Sequence, residues 1–266
     1  PAVPAASQPA AEVGRLVRIE SDVLRLTVST RGAEILEAEL PRYSISLDRR
    51  DVAVKLLSQE AQRYFIAQSG LVATDRRAPD HTTEFQLEGD AFTLAEGQSM
   101  LEVPFTWRDG EGLTVRKILS LERGSYTVLI RHEIDNQSST PWRGSQYRQL
   151  QRVPPPKPNA FAFNSPDEHF QKLKFENFAE EPYRRTFTGG WSAMQQHYFV
   201  GAYVPDPAEQ TSYETAILPG SGFMPTRFLI RQMSPALEIA PGASQSISAR
   251  LYIGPKLQSL LPKVAP

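Results

Sequence analysis

The sequence predicts an all-β domain of many antiparallel strands, packed as two sheets and closed by a short C-terminal helix. Three observations carry that prediction. From Arg15 onward, apolar residues recur with a period of two in runs of strand length. Turn signals such as Asp109-Gly110, Arg123-Gly124 and Pro241-Gly242 separate those runs. The chain has 266 residues, 40% of them hydrophobic and 22% charged, which suits one large β domain with a sizeable core.

Residues 1–14, PAVPAASQPAAEVG, form a Pro/Ala-rich linker with little to bury. The domain then runs from 15 to 266. VRIESDVLRLTVST mixes Val23, Leu26 and Val28 with Arg25 and Thr27, which reads as strands with one wet face. AEILEAELP fits a strand or a short helix, and Gly32 before it favours a hairpin-like return. RYFIAQSGL and the stretch from Met100 to Asn136 hold four strand candidates, with the tight turn at Asp109-Gly110. In SYTVLIRHEID, Tyr126, Val128, Ile130, His132 and Ile134 share one face, so His132 packs among apolar neighbours.

The consecutive prolines of QRVPPPKPNAF cannot sit in a central strand, so the stretch reads as an interdomain linker or a long loop crossing between sheets, and the similar β pattern on both sides favours the loop. The charged, irregular NSPDEHFQKLKFENFAEEPYRRTFT follows. YFVGAYVP, TSYETAIL, MPTRFLIRQ and SQSISARLYIGP are strands again. In the tail KLQSLLPKVAP, Leu257, Leu260, Leu261 and Val264 form one apolar stripe at helical spacing. That helix is expected to dock on the β domain, with Pro262 limiting its length.

Composition excludes several functions. A formal net charge of −1 gives no general attraction to nucleic acid or anionic lipid, and no nucleic-acid motif is present. The absence of Cys removes disulfides, thiol catalysis and Cys-ligated zinc. No apolar run approaches the roughly 20 residues of a membrane helix. The first residues have neither the basic start nor the apolar centre of a signal peptide.

Chemistry is sparse. The histidines are His81, His132, His169 and His197. Asp167-Glu168-His169 has no second His at ligand spacing and reads as a solvated loop. No G-x-S-x-G, H-E-x-x-H or phosphate-cradling loop occurs. Large two-sheet β domains include sugar epimerases, in which a His and a carboxylate share the proton transfers. His132 or His197 with Glu133 or Glu214 would be the pair, but nothing in the local sequence requires it. Neither catalytic residues, nor a metal, nor a cofactor are expected.

The most distinctive stretch is GGWSAMQQHYFVGAYVP, residues 189–205. Gly189 and Gly190 permit a tight turn or close backbone approach. Trp191, Tyr198 and Phe199 are read as filling the space between the sheets. Alternation puts Tyr198, Val200 and Ala202 on one face and Phe199, Gly201 and Tyr203 on the other. Both faces are apolar, which suits a central strand covered on both sides. The competing reading makes these aromatics the wall of an exposed cleft.

This stretch resembles the segment G-G-W-x-A-M-x-Q-x-Y-F-x-x-A-[WY]-x-P in the large first periplasmic domain of the YidC membrane-protein insertases. Gly189, Gly190, Trp191, Ala193, Met194, Gln196, Tyr198, Phe199, Ala202, Tyr203 and Pro205 fall on it. DVLRLTVSTRGAEI, YFIAQSGL, FTLAEGQSMLEVPFTW, LERGSYTV, NSPDEHFQKLKF and YIGPKLQSLLPKVAP are family-like in the same order. Tyr203 stands where many relatives have Trp, and PPPKPNAFAF is shorter and richer in proline. The resemblance implies a galactose-mutarotase-like β-supersandwich at the periplasmic face of the bacterial inner membrane. It implies an accessory, non-catalytic role in membrane-protein insertion, with the Sec translocon and nascent inner-membrane proteins as partners. The C-terminal stripe would then lie near the membrane. A small-ligand or glycan-binding cleft is the alternative, and a retained epimerase the third reading.

Overall fold

The computed structural model describes residues 3, 14–46, 48–74, 76–154, 160–165, 169–174, 178 and 182–257. The chain opens with β1 (Leu16–Glu20), β2 (Arg25–Ser29), β3 (Glu34–Ser44) and β4 (Ala53–Leu57). One 3-10 turn, Ala61–Arg63, leads to β5 (Phe65–Ala73), followed by β6 (Ala91–Thr93). A meander comes next: β7 (Met100–Arg108), β8 (Leu113–Glu122), β9 (Thr127–Asn136) and β10 (Trp142–Arg152). After it lie β11 (Ala160–Ser165), β12 (His169–Lys174), β13 (Arg184–Thr188), β14 (Trp191–Gln195) and β15 (Phe199–Val204). The last are β16 (Gln210–Leu218), β17 (Arg227–Met233), β18 (Leu237–Ile239) and β19 (Ala243–Pro255).

These strands make two sheets, as the alternation predicts. The larger runs β13-β16-β17-β10-β5-β3-β2-β1-β6, with β18 on β10 and β4 on β3. The smaller runs β12-β11-β14-β15-β19-β9-β8-β7. The pairing of β1 with β6 is parallel, while the long ladders are antiparallel. AEILEAELP resolves as strand within β3, because β2 pairs along it from Arg25–Glu39 to Ser29–Glu34. The turn after β7 forms at Asp109, whose Oδ1 accepts from the backbone nitrogens of Glu111 and Leu113 at 2.7 and 2.9 Å. Arg76 adds an ion pair to the same carboxylate at 2.7 Å.

One apolar core lies between the sheets, drawing Leu26, Val28, Leu57 and Phe65 from one and Phe105, Val115, Leu119 and Ile253 from the other. The approach is close. A Cβ on Gly201 of β15 would lie 2.7 Å from the Phe65 ring of β5. The strand FVGAYV is central, as its two apolar faces suggest: β15 lies between β14 and β19. The expected C-terminal helix, with Leu260, Leu261 and Val264, lies outside the described residues. Leu257 is described, is not helical, and is exposed. The Pro-rich crossing is likewise outside from 155 to 159.

Candidate functional site: two polar layers on the large sheet

β10 reads WRGSQYRQLQR and is buried along nearly its whole length, with polar side chains on both faces. Its alternation creates two polar layers. Gln146 and Arg148 point into the sandwich. The amide Nε2 of Gln146 donates to Nδ1 of His132 at 2.8 Å, and its Oε1 accepts from Arg148 Nε at 2.8 Å. These two bonds fix the amide orientation and leave the His132 proton on Nε2. Arg148 also binds Gln232 and both carboxylate oxygens of Glu209. Gln232 Nε2 in turn donates to Ser192 Oγ and to the Tyr203 carbonyl, tying β17 to the small sheet.

Lys117, on β8, crosses the same interior. Its Nζ donates to the carbonyls of Gly32 and Ser69, both at 2.8 Å. Burial lowers its pKa to about 7, against the upward pull of the Glu34 carboxylate. His132 is held well below its ordinary value by burial first, then by the positive charges of Lys117 and Arg148. A neutral imidazole with a satisfied Nδ1 is a packing element of this seam.

The opposite face carries a second ladder. Gln149 Nε2 donates to Gln68 Oε1 at 2.6 Å, and Arg231 Nε donates to Gln149 Oε1 at 3.0 Å. Arg231 continues to Glu214 at 2.9 Å, while Arg227 donates to Gln151 Oε1 at 2.5 Å and lies over the Tyr64 ring. The ladder thus crosses β5, β10, β17 and β16. Beside it, burial raises the Glu34 carboxyl to about 7, with the Gln68 amide and Lys117 pulling it back. Neither Glu34 Oε1 nor Gln68 Nε2 finds a hydrogen bond of good geometry there.

The glycine–tryptophan stretch divides between core and surface. Gly189 and Gly190 both have positive φ, and a Cβ on Gly190 would lie 2.2 Å from the Asn164 carbonyl oxygen. That approach seats Trp191 opposite Asn164 in the β14–β11 ladder. Trp191 is partly buried against the core and Met194 wholly buried. Phe199 packs edge-on against Tyr43, and Tyr203 is buried with its hydroxyl donating to the Gln68 carbonyl at 3.0 Å. Tyr198 corrects the sequence reading. It is 69% exposed on the turn before β15, stacked edge-on with His197. The strand begins at Phe199, one residue later than the alternation predicts.

The residues an epimerase pair would need are scattered. His132 faces the interior, whereas its neighbour Glu133 faces outward between Arg116 and Arg131. Glu214 is engaged by Arg231 and Arg184 on the large sheet, and His197 stands on the surface turn. Among the described residues no group of three or more His, Asp or Glu could hold a metal; Asp167 and Glu168 lie outside them. Sequence reasoning missed both polar layers. The signal was an eleven-residue strand between Pro141 and Pro154 with polar residues on both faces.

Two packed antiparallel sheets with a polar seam define a β-supersandwich of the galactose mutarotase type. A galactose mutarotase related enzyme from Lactobacillus acidophilus shares the fold with a TM-score of 0.57 at 9% identity, covering 91% of this chain and 100% of that one. That likeness concerns the fold alone. The sequence model of the YidC periplasmic domain matches residues 16–266. The membrane protein insertase YidC of Methylococcus capsulatus is 36% identical over 97% of this chain and 48% of its own length. That of Coxiella burnetii is 34% identical over 95% of this chain and 46% of its own length. The chain belongs to the YidC periplasmic domain family. It spans about half the length of the curated relatives it matches.

Proposed function

We propose that this chain is a non-catalytic accessory domain of a membrane-protein insertase, working at the periplasmic face of the inner membrane. There it contacts Sec translocon components or segments of nascent inner-membrane proteins. The observation that carries this reading is the match to the YidC periplasmic domain along residues 16–266, with relatives named as insertases. The site chemistry supports it, because the candidate acid–base groups are spent on structural contacts in separate places. A strain depleted of its insertase tests it. The full-length protein carrying this domain should restore insertion, and single-cysteine crosslinkers on the domain should capture Sec components or nascent segments. Restored insertion with no such crosslink from any face would refute the contact role.

A second reading, a small-ligand or glycan site on the large sheet, is favoured by one observation. The ladder of Gln68, Gln149, Gln151 and Arg231 holds amide and guanidinium groups of the kind that bind hydroxyls, with the three glutamines buried and Arg231 the member that reaches solvent. Calorimetric titration with neutral sugars decides it. Heat that disappears in a Gln149→Leu variant of unchanged melting temperature would establish the site, and no heat would dismiss it.

A further inference from the structure

Among the described residues, six large hydrophobic side chains are exposed: Leu16, Ile45, Met100, Tyr198, Phe223 and Leu257. Five of them stand at one end of the sandwich. Ile45 follows β3 and opens the β3–β4 turn, which its nitrogen closes on the Val52 carbonyl at 3.0 Å. Met100 begins β7 opposite Glu122, the last residue of β8. The Tyr198 carbonyl accepts from the Lys256 nitrogen at 2.8 Å, one residue before Leu257. The rings of Tyr43 and Phe199, 5.5 Å apart, join the end of β3 to the start of β15. Phe223 crowns the β16–β17 turn, whose base packs Arg227 over Tyr64 beside the start of β5. Leu16 lies at the opposite end, where β1 begins opposite the last residue of β2.

The five sit on five separate turns or strand ends. Phe223 is 99% exposed, on a short turn held by paired bonds between Ser221 and Met224 at 3.1 Å. A protein partner is recognised through a packed apolar centre with a polar rim. Solitary apolar tips around one end instead suit a fluid phase, which closes around each tip without matching its shape. Tyr198 has the amphipathic ring favoured at the membrane interface. Arg42, Arg49, Arg123 and Lys256 alternate with Asp22, Asp48 and Glu122 at this end. That mixture rules out a polybasic patch. Arg42 is paired with Asp22, and Arg123 is held by the carbonyls of Gln98 and Ala95, which leaves the Arg49 and Lys256 stems to reach headgroup phosphates while apolar tips enter between them.

We propose that this end of the sandwich rests on the phospholipid surface, with Phe223 and Tyr198 seated in the headgroup–acyl boundary. The proposal rests on the reading that the domain works beside the inner membrane, to which it adds an orientation and the residues that touch lipid. The lack of Cys in this chain makes the test direct. In the full-length insertase, cysteine-free elsewhere, Phe223→Cys, Tyr198→Cys and Leu16→Cys each receive a nitroxide label. The protein is reconstituted in nanodiscs of phosphatidylethanolamine and phosphatidylglycerol. Collision with oxygen, which concentrates in lipid, is compared with collision with a water-soluble nickel chelate.

The expected result is a severalfold higher oxygen-to-nickel ratio at 223 and 198 than at 16. Equal ratios at the three positions overturn the proposal. Labels at 223 and 198 shielded from both reagents also overturn it, in favour of a protein partner or a second copy. The same preparations are assayed for insertion. Labels in water with insertion intact refute the lipid contact alone, whereas lipid-exposed labels in a protein without insertion activity refute the accessory role alone.

Discussion

Arg148 donates from one terminal nitrogen to both carboxylate oxygens of Glu209, at 2.7 and 2.8 Å, with its own side chain 0% exposed. The pair joins β10, in the middle of the large sheet, to the connection entering β16. A buried guanidinium whose carboxylate is removed keeps its desolvation cost and loses its compensation, a loss of about 3–5 kcal/mol. Glu209→Leu is therefore expected to lower stability by that amount in urea denaturation. Adding Arg148→Met should cost less than the sum of the two single changes. Strict additivity would mean that the pair is not coupled.

Gly190 and Gly242 share a positive φ, +81° and +75°, but differ in the space around them. A Cβ on Gly242 meets nothing within 4 Å, so Gly242→Ala carries only the conformational cost of about 1–2 kcal/mol. At Gly190 the same methyl group strikes the Asn164 carbonyl, and the β11–β14 ladder must move. Gly190→Ala is expected to exceed Gly242→Ala by about 2 kcal/mol or more. Equal melting temperatures for the two variants would contradict this.

Met194 and Trp191 reverse the usual ranking by size. Met194 is 0% exposed, whereas Trp191 is only partly buried. Met194→Ala is expected to cost about 2–5 kcal/mol, and Trp191→Ala no more than that despite the larger side chain. Guanidinium midpoints of both variants check the order. A far greater loss at Trp191 would point to a structural role beyond its burial.

Two buried groups oppose each other in acid. Below pH 6.5 the unfolded His132 takes a proton that the folded protein refuses, so this group makes stability fall as pH falls. Glu34 works the other way. Between 4.5 and about 7 its folded carboxyl keeps a proton that the unfolded chain has lost, so stability rises on acidification. Each group at full effect contributes about 1.4 kcal/mol per pH unit. Relative to the unsubstituted protein, His132→Gln should gain stability from pH 7 to pH 5, and Glu34→Gln should lose it. Denaturation at both pH values reads the difference, and parallel curves for all three proteins would contradict the assignment.

What was legible in the sequence depended on range. The Asp109-Gly110 turn and the strands around it follow from neighbours in the chain, and they form as expected. The burial of His132 followed from the apolar face of β9. The position of β10 between β5 and β17 did not, because those contacts join residues more than seventy positions apart. Hydrophobic alternation is blind to polar groups that are buried because they bond one another. Arg148, Gln146 and Gln232 carry the local signature of a wet surface and sit in the interior. Tyr198 failed for a simpler reason: periodicity marks faces within a strand but not where the strand begins.

The place of β19 in the small sheet bears on how the domain comes into being. It lies between β15 and β9, pairing with both. Until it arrives, β12-β11-β14-β15 and β9-β8-β7 are two unjoined pieces, each with a bare edge. The joining strand spans residues 243–255, so a chain emerging from its N-terminus cannot seal this sheet until nearly all of the domain has been delivered. Long-range pairing of this kind is slow. Until then the half-assembled sheet is open to misplaced strands. Assembly of the small sheet is thereby timed to the arrival of β19.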